Sequence, residues 1–258
     1  MPFTFSHPAA ALPLLRRLGP YGSASALIVG STTPDLGFVV NLGLTRAQTH
    51  SAAGLLLFCL PAGLCALLLF HTLLKVPLLQ LFPASARGKL AALAGPGLPP
   101  WPAMLVSLLC GTLTHLAWDA FTHPHTPVVE AIGVLAMTVG SVGGMPVHLY
   151  NVLQHVSSIA GLAVLALWWR RWLRAAPCAA VPPGALAPAL RMAAAAAIVT
   201  LPLAVGLAMV LRQHAMPANG EALRALVATF MFSTLPALSA CVGLYCAAWW
   251  AWQRARAA

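Results

Sequence analysis

The chain has 258 residues, of which 60% are hydrophobic and only 7% are charged. Soluble domains carry roughly a quarter charged residues, so this composition excludes an ordinary soluble domain and favours a surface that faces lipid. The formal net charge is +10, but the basic residues flank apolar segments and do not form a patch with aromatic residues. We therefore predict the lipid bilayer as a partner and no binding of nucleic acid.

The first fifty residues contain two short helical patterns, at about residues 8–18 and 23–40. The second pattern is interrupted by Thr32-Thr33-Pro34-Asp35. An acidic residue near the middle of a short segment argues against a membrane span, because charge inside the bilayer is costly. We therefore expect a short N-terminal helical region ahead of the first span.

Five later segments each contain about 20 mostly apolar residues, enough to cross a hydrocarbon core of ~30 Å as a helix. A further apolar segment, residues 128–145, is rich in glycine and is compatible with either another span or a re-entrant helix. The predicted fold class is all-α, a multi-pass transmembrane helical bundle. The five predicted spans are residues 51–74, 101–121, 149–169, 190–211 and 226–249.

The strongest polar motif lies at the end of the second predicted span. His115, Asp119 and His123 recur every four residues, so they share one helix face and can bind one metal ion or two neighbouring ions. Pro124 disfavours helical geometry at His123, which predicts that this face lies at a membrane boundary. Polar residues inside a membrane are costly enough to suggest a function.

Successive spans cross the membrane in opposite directions. Further histidines are therefore predicted to lie on the same side of the membrane as the motif of His115, Asp119 and His123. Zinc and similar ions favour imidazole and carboxylate ligands, and hydrolytic sites keep one position open for water. We predict a divalent ion, preferably zinc, with Asp35 and Asp119 also acting in catalysis. Its principal ligands are predicted to be Asp35, His50, His115 and Asp119. The further ligands, which allow a second ion, are His7, His123, His148 and His155.

Six of the candidates also have a simpler structural explanation. Asp35 follows Thr33-Pro34 and can be the acidic residue of a helix start, and His50 can cap a helix or lie at the interface. His115 and Asp119 can form a buried hydrogen-bonded pair, and His148 and His155 can be structural as well. The joint pattern favours a site, because two of only four acidic residues fall with histidines on one predicted side.

Two further motifs are the opening Met-Pro-Phe-Thr-Phe-Ser-His7-Pro and the later Gln154-His155-x-Ser157-Ser158. Together with the candidate ligands named above, they resemble the bacterial membrane family known as domain of unknown function 4184. By motif, the resemblance covers residue 1 to about 170. More remotely, the order of histidines and aspartates is similar to membrane-bound metal-dependent hydrolases and to zinc-dependent phospholipase C enzymes. That resemblance implies metal ligands at His7, Asp35, His50, His115 and Asp119. The chain departs from the phospholipases in lacking an N-terminal Trp and in having Val152, not Glu, four residues after His148.

Three classes of function are compatible with this pattern. The first is a membrane-bound metal-dependent hydrolase that acts on a phosphoester, with a lipid or lipid-linked substrate favoured by a site at the interface. The second is a transporter of metal ions or protons, although the last two spans are nearly free of ionisable groups. A non-catalytic protein with a structural metal is a third.

The basic residues predict an orientation in the inner membrane. Nine Lys and Arg residues fall on the side opposite the site and five on the same side, which places the site outside the cytoplasm. We expect one integrated membrane domain, in which residues 1–170 form the metal-site core and residues 171–258 form C-terminal transmembrane helices.

Overall fold

The computed structural model describes residues 4–40, 42–93, 97–180, 184–213 and 219–257. The chain is mostly α-helical, and within the described residues five helices are long and apolar enough to cross a membrane. This confirms the predicted multi-pass, all-α class and its five spans. The spans are Ala52–Leu79, Trp101–Ala131, Leu149–Ala175, Pro188–Leu211 and Gly220–Arg256.

A group of short helices precedes the first span. They are α1 (Pro8–Ala11), α2 (Leu14–Leu18), α3 (Ala24–Thr32), α4 (Leu36–Val40) and α5 (Arg46–Thr49). Short 3-10 turns lie at Thr4–Ser6, Gly19–Tyr21 and Thr33–Asp35. Residues 24–40 are therefore helical without being one of the five candidate spans, in line with the expectation of a short N-terminal helical region.

The first span contains two π-helical segments. Pro61 and Pro77 have no N–H, so the carbonyls four residues earlier, at Leu57 and Leu73, lose their normal helical donor. Each of these carbonyls lies inside one of the π-helical segments, where the hydrogen-bond spacing is wider. In order, the segments are α6 (Ala52–Gly54), the π-helix Leu55–Cys59, α7 (Leu60–Leu69), the π-helix Phe70–Leu74 and α8 (Lys75–Leu79). Helix α9 (Ala84–Leu93) follows.

The second span is built on α10 (Trp101–Thr122). This helix ends at His123, whose φ of −128° and ψ of 147° are extended, as the following proline predicts. Beyond it lie the short helix α11 (Pro127–Ala131) and the 3-10 turn Gly133–Ala136.

An antiparallel hairpin begins in the second part of the glycine-rich segment. It consists of β1 (Thr138–Val142) and β2 (Met145–His148), with Val142 paired to Met145. The turn residues Gly143 and Gly144 both have positive φ, at 58° and 80°, which is the backbone that a tight two-residue hairpin turn requires. Residues 128–145 therefore form neither a span nor a re-entrant helix.

Helices α3 and α10 pack with their backbones in contact. A Cβ at Gly30 would collide with the main chain of Leu108, and a Cβ at Gly111 would lie 2.5 Å from the carbonyl oxygen of Leu27. Glycine permits this close approach between helices. The Thr112 hydroxyl adds a hydrogen bond to the carbonyl of Gly30 at 3.2 Å. Together these contacts fix α10 against the N-terminal helices.

The last three spans are α12 (Leu149–Ala175), α13 (Pro188–Leu211) and α14 (Gly220–Ala257). The chain divides into two compact units. The first comprises residues 1–67, 99–170 and 219–221, and its buried core is formed by Ala26, Leu67 and Leu108. The second comprises residues 68–98, 171–218 and 222–258. In the second unit, the Trp250 indole N–H donates to the carbonyl of Leu73 at 2.9 Å.

Candidate metal centre

Five of the predicted ligands converge in the first unit from four separate parts of the chain. His7 precedes α1, Asp35 ends the turn between α3 and α4, His50 follows α5, and His115 and Asp119 lie on one face of α10. The His50 side chain is 9% exposed, and the other four are at most 5% exposed. Burying so many ionisable groups together is costly unless each is paired, so the cluster demands an explanation beyond packing.

Two groups of three residues have ligand atoms close enough to share an ion. The first is His7, His115 and Asp119, and the second is Asp35, His50 and His115. Within each group the ligand atoms all lie within 4.8 Å of one another. His115 belongs to both groups, so the two positions adjoin. These buried groups can hold one metal ion or two.

Hydrogen bonds fix the tautomers of the two central histidines. The Nδ1 atom of His115 lies 2.8 Å from the carbonyl oxygen of Ser31, which can only accept, so Nδ1 carries the proton. The Nδ1 atom of His50 lies 2.9 Å from the Thr49 hydroxyl oxygen, and that hydroxyl donates to the carbonyl of Arg46. Both rings therefore direct an Nε2 lone pair into the site, which is the arrangement of metal-binding histidines.

The distances between these ligand atoms suit a small cation. The two Nε2 atoms are 3.3 Å apart, and each is 3.4 Å from Oδ2 of Asp119. Zinc bonds of about 2.0–2.1 Å in tetrahedral geometry place ligand atoms about 3.3–3.4 Å apart. Facing lone pairs at this distance repel each other unless a proton or a metal cation lies between them, and the spacing of the donor set fits a divalent ion.

Each aspartate leaves one buried oxygen unpaired. Asp35 Oδ2 accepts a hydrogen bond from the Thr4 hydroxyl at 2.6 Å, whereas Asp35 Oδ1 has no hydrogen-bond partner within the described residues. Asp35 Oδ1 lies 3.6 Å from Nε2 of His50 and 3.8 Å from Nε2 of His115. Asp119 Oδ1 is likewise without a hydrogen-bond partner there. Buried carboxylate oxygens are normally satisfied, and a bound cation would satisfy both.

His7 is a candidate ligand that comes from outside the spans. Its ring stacks on that of His115, with centroids 3.9 Å apart, and its Nε2 lies 3.6 Å from Oδ1 of Asp119. Burial, reinforced by the neighbouring His115 ring, lowers the pKa of His7 to about 3. The imidazole is therefore uncharged at neutral pH and keeps a lone pair for a metal.

His123 lies at the edge of this cluster. Its Nδ1 is 3.6 Å from Oδ1 of Asp119 and 3.3 Å from the hydroxyl of Thr122. Its Nε2 is buried and has no hydrogen-bond partner among the residues that the structure describes. His123 is in neither ligand group, so its position suits proton transfer beside Asp119.

The structure does not bring His148 and His155 into either ligand group. His148 ends β2, where its Nδ1 bonds to the carbonyl of Ala136 at 2.8 Å and its ring stacks on Tyr150. His155 is on the exposed face of α12, because Gln154 is the residue that this helix buries instead. Their role as ligands stays a prediction.

Arg46 is a site residue that the sequence analysis counted only as a membrane-flanking charge. Its guanidinium donates to Oδ2 of Asp119 at 2.7 Å and to Nε2 of His50 at 3.0 Å. The signal in the sequence is local: Thr45 and Gln48 form a capping box, which makes residues 46–49 helical and puts Arg46 four positions before His50 on one face.

A family described as Domain of unknown function (DUF4184) has a sequence model that matches residues 1–249 of the chain. Comparison with curated proteins and with solved structures found no match. The more remote resemblance to metal-dependent hydrolases and to zinc-dependent phospholipases therefore stays a prediction.

Proposed function

Because the chain belongs to the family described as Domain of unknown function (DUF4184), a description that names no chemistry, we propose a function from the site itself: a membrane-bound, zinc-dependent hydrolase of a phosphoester. The observation that carries the proposal is the pair of Nε2 lone pairs, on His50 and His115, that face each other at 3.3 Å beside unpaired carboxylate oxygens.

The ligands are held in place by their own hydrogen bonds. In this proposal Asp35, His50, His115 and Asp119 hold the principal ion, and His7 joins Asp119 at a second. The carbonyl of Ser31 orients His115, and neighbouring hydroxyls orient Asp35 and His50. When bound, the metal would supply Lewis acidity and lower the pKa of a water molecule.

The residues beside the ligands supply proton transfer. Asp119 Oδ1 and His123 Nδ1 are 3.6 Å apart, and His123 Nε2 makes no hydrogen bond within the described chain. A histidine with a free ring nitrogen can accept a proton from water. We assign this role to Nε2 of His123, because its Nδ1 donates to the main-chain carbonyl of Asp119, and we assign to Asp119 and Asp35 the positioning of the ions.

A phosphoester is favoured by the two adjoining ligand groups. Two ions side by side suit in-line displacement at phosphorus, because they stabilise both the attacking and the leaving oxygen. The site lies on α10 within a helix long and apolar enough to cross a membrane. Since a buried site on such a helix is reached most readily from the membrane and its interface, a lipid or lipid-linked phosphoester is the proposed substrate.

The N-terminal helices support a site outside the cytoplasm. The Ser107 hydroxyl donates to the carbonyl of Tyr21 at 3.0 Å, so the bend at Gly19–Tyr21 lies about 12 Å from His115 along α10. Arg16 and Arg17 immediately precede this bend and therefore lie towards the end of α10 that is opposite the site. With Arg16 and Arg17 counted on that side, the side opposite the site has eleven Lys and Arg residues and the site side has three, instead of nine and five. By the positive-inside tendency, the site faces away from the cytoplasm of an inner-membrane protein.

Metal content is the direct test. The detergent-purified full-length protein is analysed by mass spectrometry for metals per chain, alongside His115→Ala, Asp119→Ala and the control His155→Ala, whose ring is exposed on α12. We expect one or two zinc ions in the wild type and in the control, and a loss in the other two variants. Release of phosphate from soluble and lipid phosphoesters is then measured on the zinc-loaded protein.

Two results would contradict the proposal. If the wild type stays metal-free after exposure to zinc, a proton shared between His50 and His115 explains their contact, and the hydrolase assignment fails. If His115→Ala retains full zinc content, the metal is elsewhere, and this cluster is only a hydrogen-bonded link between helices.

A further inference from the structure

Arg46 is the most accessible charged group of the metal centre. Its side chain is 31% exposed, whereas that of Asp119, to which it bonds, is 3% exposed. The guanidinium therefore lies between the buried ligands and the outside of the cluster. A group that approaches the ligands from this direction meets Arg46.

The charges of the site change sign when it is loaded. Without metal, Asp35 and Asp119 are balanced by one guanidinium, and the histidines add nothing when neutral. One or two divalent ions turn this excess of negative charge into an excess of positive charge. Arg46 then no longer has a net negative partner to neutralise, and the loaded site attracts an anion.

A metal ion and Arg46 compete for one lone pair. The guanidinium donates to Nε2 of His50 at 3.0 Å, and this is the atom that would bind the ion in the second ligand group. A single lone pair cannot serve both, so metal binding frees that part of the guanidinium. The planar fork of arginine is well matched to two oxygens of a phosphate.

We propose that Arg46 is the anion-binding residue of the loaded site and that it takes oxygens of a phosphate group. The inference rests on the proposed function, because it requires a metal at His50 and His115. It makes a distinctive prediction: removing the guanidinium removes a competitor for the metal and a partner for the phosphate at once. Zinc binding stays equal or becomes tighter, while phosphate binding becomes weaker.

The test uses the detergent-purified full-length protein and two titrations followed by calorimetry, first with zinc and then with inorganic phosphate on the zinc-loaded protein. The variants are Arg46→Gln, Arg46→Lys, which keeps the charge without the fork, and the control Arg17→Gln, which removes an exposed arginine of α2. For Arg46→Gln we expect undiminished zinc affinity and phosphate affinity lower by about tenfold or more. Arg46→Lys is expected to fall between, and the control to match the wild type.

The outcomes separate this inference from the proposed function. If the wild type takes up no zinc, the proposed function fails, and the role of Arg46 fails with it. If the wild type binds zinc and Arg46→Gln binds phosphate as tightly as the wild type, only the role of Arg46 is overturned. Loss of both zinc and phosphate in Arg46→Gln would show a structural residue and would also overturn it.

A competition experiment distinguishes a soluble source of the phosphate group from a lipid source. Bound phosphate is challenged with glycerol phosphate in solution and with nanodiscs of phosphatidylcholine that do or do not contain phosphatidic acid. Displacement by either phosphate compound supports the assignment, and the more effective one identifies a soluble or a lipid source. Displacement by neither overturns it.

Discussion

The Nε2 atoms of His50 and His115 face each other at 3.3 Å, although the two residues come from different helical segments that are 65 positions apart in the chain. Each ring is turned to this orientation by a hydrogen bond on its other nitrogen. The contact is therefore built by the surrounding structure, and it adjoins a second ligand group that shares His115.

The two groups are expected to lose metal separately. His7→Ala removes a ligand of the first group only, so a chain that binds two zinc ions in the wild type should bind one in this variant. His50→Ala removes a ligand of the second group, where the principal ion is proposed. The measurement is metal content together with zinc affinity, since the ion that remains in His7→Ala should retain nearly the wild-type affinity. Equal loss of all metal in both variants would contradict two separable positions.

Thr4 is expected to act on the metal through Asp35. Its hydroxyl donates to Oδ2 of Asp35 at 2.6 Å, and partners of this kind orient a ligating carboxylate. Thr4→Val is expected to weaken zinc binding by about 10–100-fold, and because it leaves Oδ2 of the buried Asp35 without this donor, it should also lower the stability of the metal-free protein by about 1–3 kcal/mol. The matched control is Thr114→Val, because that hydroxyl bonds within its own helix, to the carbonyl of Gly111. Unchanged zinc affinity in Thr4→Val would remove Thr4 from the site.

The five spans could be predicted, and His115 and Asp119 could be proposed as ligands, because their signals are local. Each span is an apolar run long enough to cross the bilayer, and His115 and Asp119 are four residues apart on one helix face. His7 and Asp35 have weaker signals. Asp35 is a candidate ligand because acidic residues are rare in this chain, and His7 is a candidate only as one of the further histidines. The way in which both reach the site depends on how α1 and α3 fold against α10.

The capping box places Arg46 on the same face as His50, but the bonds of Arg46 and of Thr4 to the two aspartates are contacts between distant segments and could not be predicted from sequence. Arg46 reaches Asp119 across 73 positions, and Thr4 reaches Asp35 across 31. The buried face of α12 was also ambiguous. Both His155 and Gln154 precede a serine at helical spacing, and the buried face is the one that carries Gly161, which packs closely on Ser6: a Cβ there would lie 3.1 Å from that residue.

Close packing at Gly111 is expected to be essential for the first unit. A Cβ there would lie 2.5 Å from the carbonyl oxygen of Leu27 and 2.8 Å from the amide nitrogen of Ser31, and main-chain atoms cannot turn aside as a flexible side chain can. Gly111→Ala should therefore cost about 1–3 kcal/mol of stability and displace His115 from Ser31. The control is Gly243→Ala in α14, where a Cβ meets nothing within 4 Å. Thermal unfolding and zinc content in detergent check both variants, and equal stability would refute the close contact.

Trp250 is expected to stabilise the second unit by replacing a hydrogen bond that Pro77 removes. The Leu73 carbonyl lacks its helical donor because residue 77 is proline, and the Trp250 indole supplies one at 2.9 Å. Away from water, an unsatisfied carbonyl costs about 1–3 kcal/mol, so Trp250→Phe should lower the free energy of unfolding by that amount.

A double-mutant cycle separates this role from loss of packing. Pro77→Ala restores an N–H four residues after Leu73, so Trp250→Phe should cost less in the Pro77→Ala background than in the wild type. Trp101→Phe serves as the control, because Trp101 is 68% exposed at the start of α10 and should show no such coupling. If Trp250→Phe costs the same in both backgrounds, the indole stabilises the protein by packing, and the carbonyl of Leu73 is satisfied in another way. A coupling of about 0.5 kcal/mol or more would instead assign the stabilisation to the hydrogen bond.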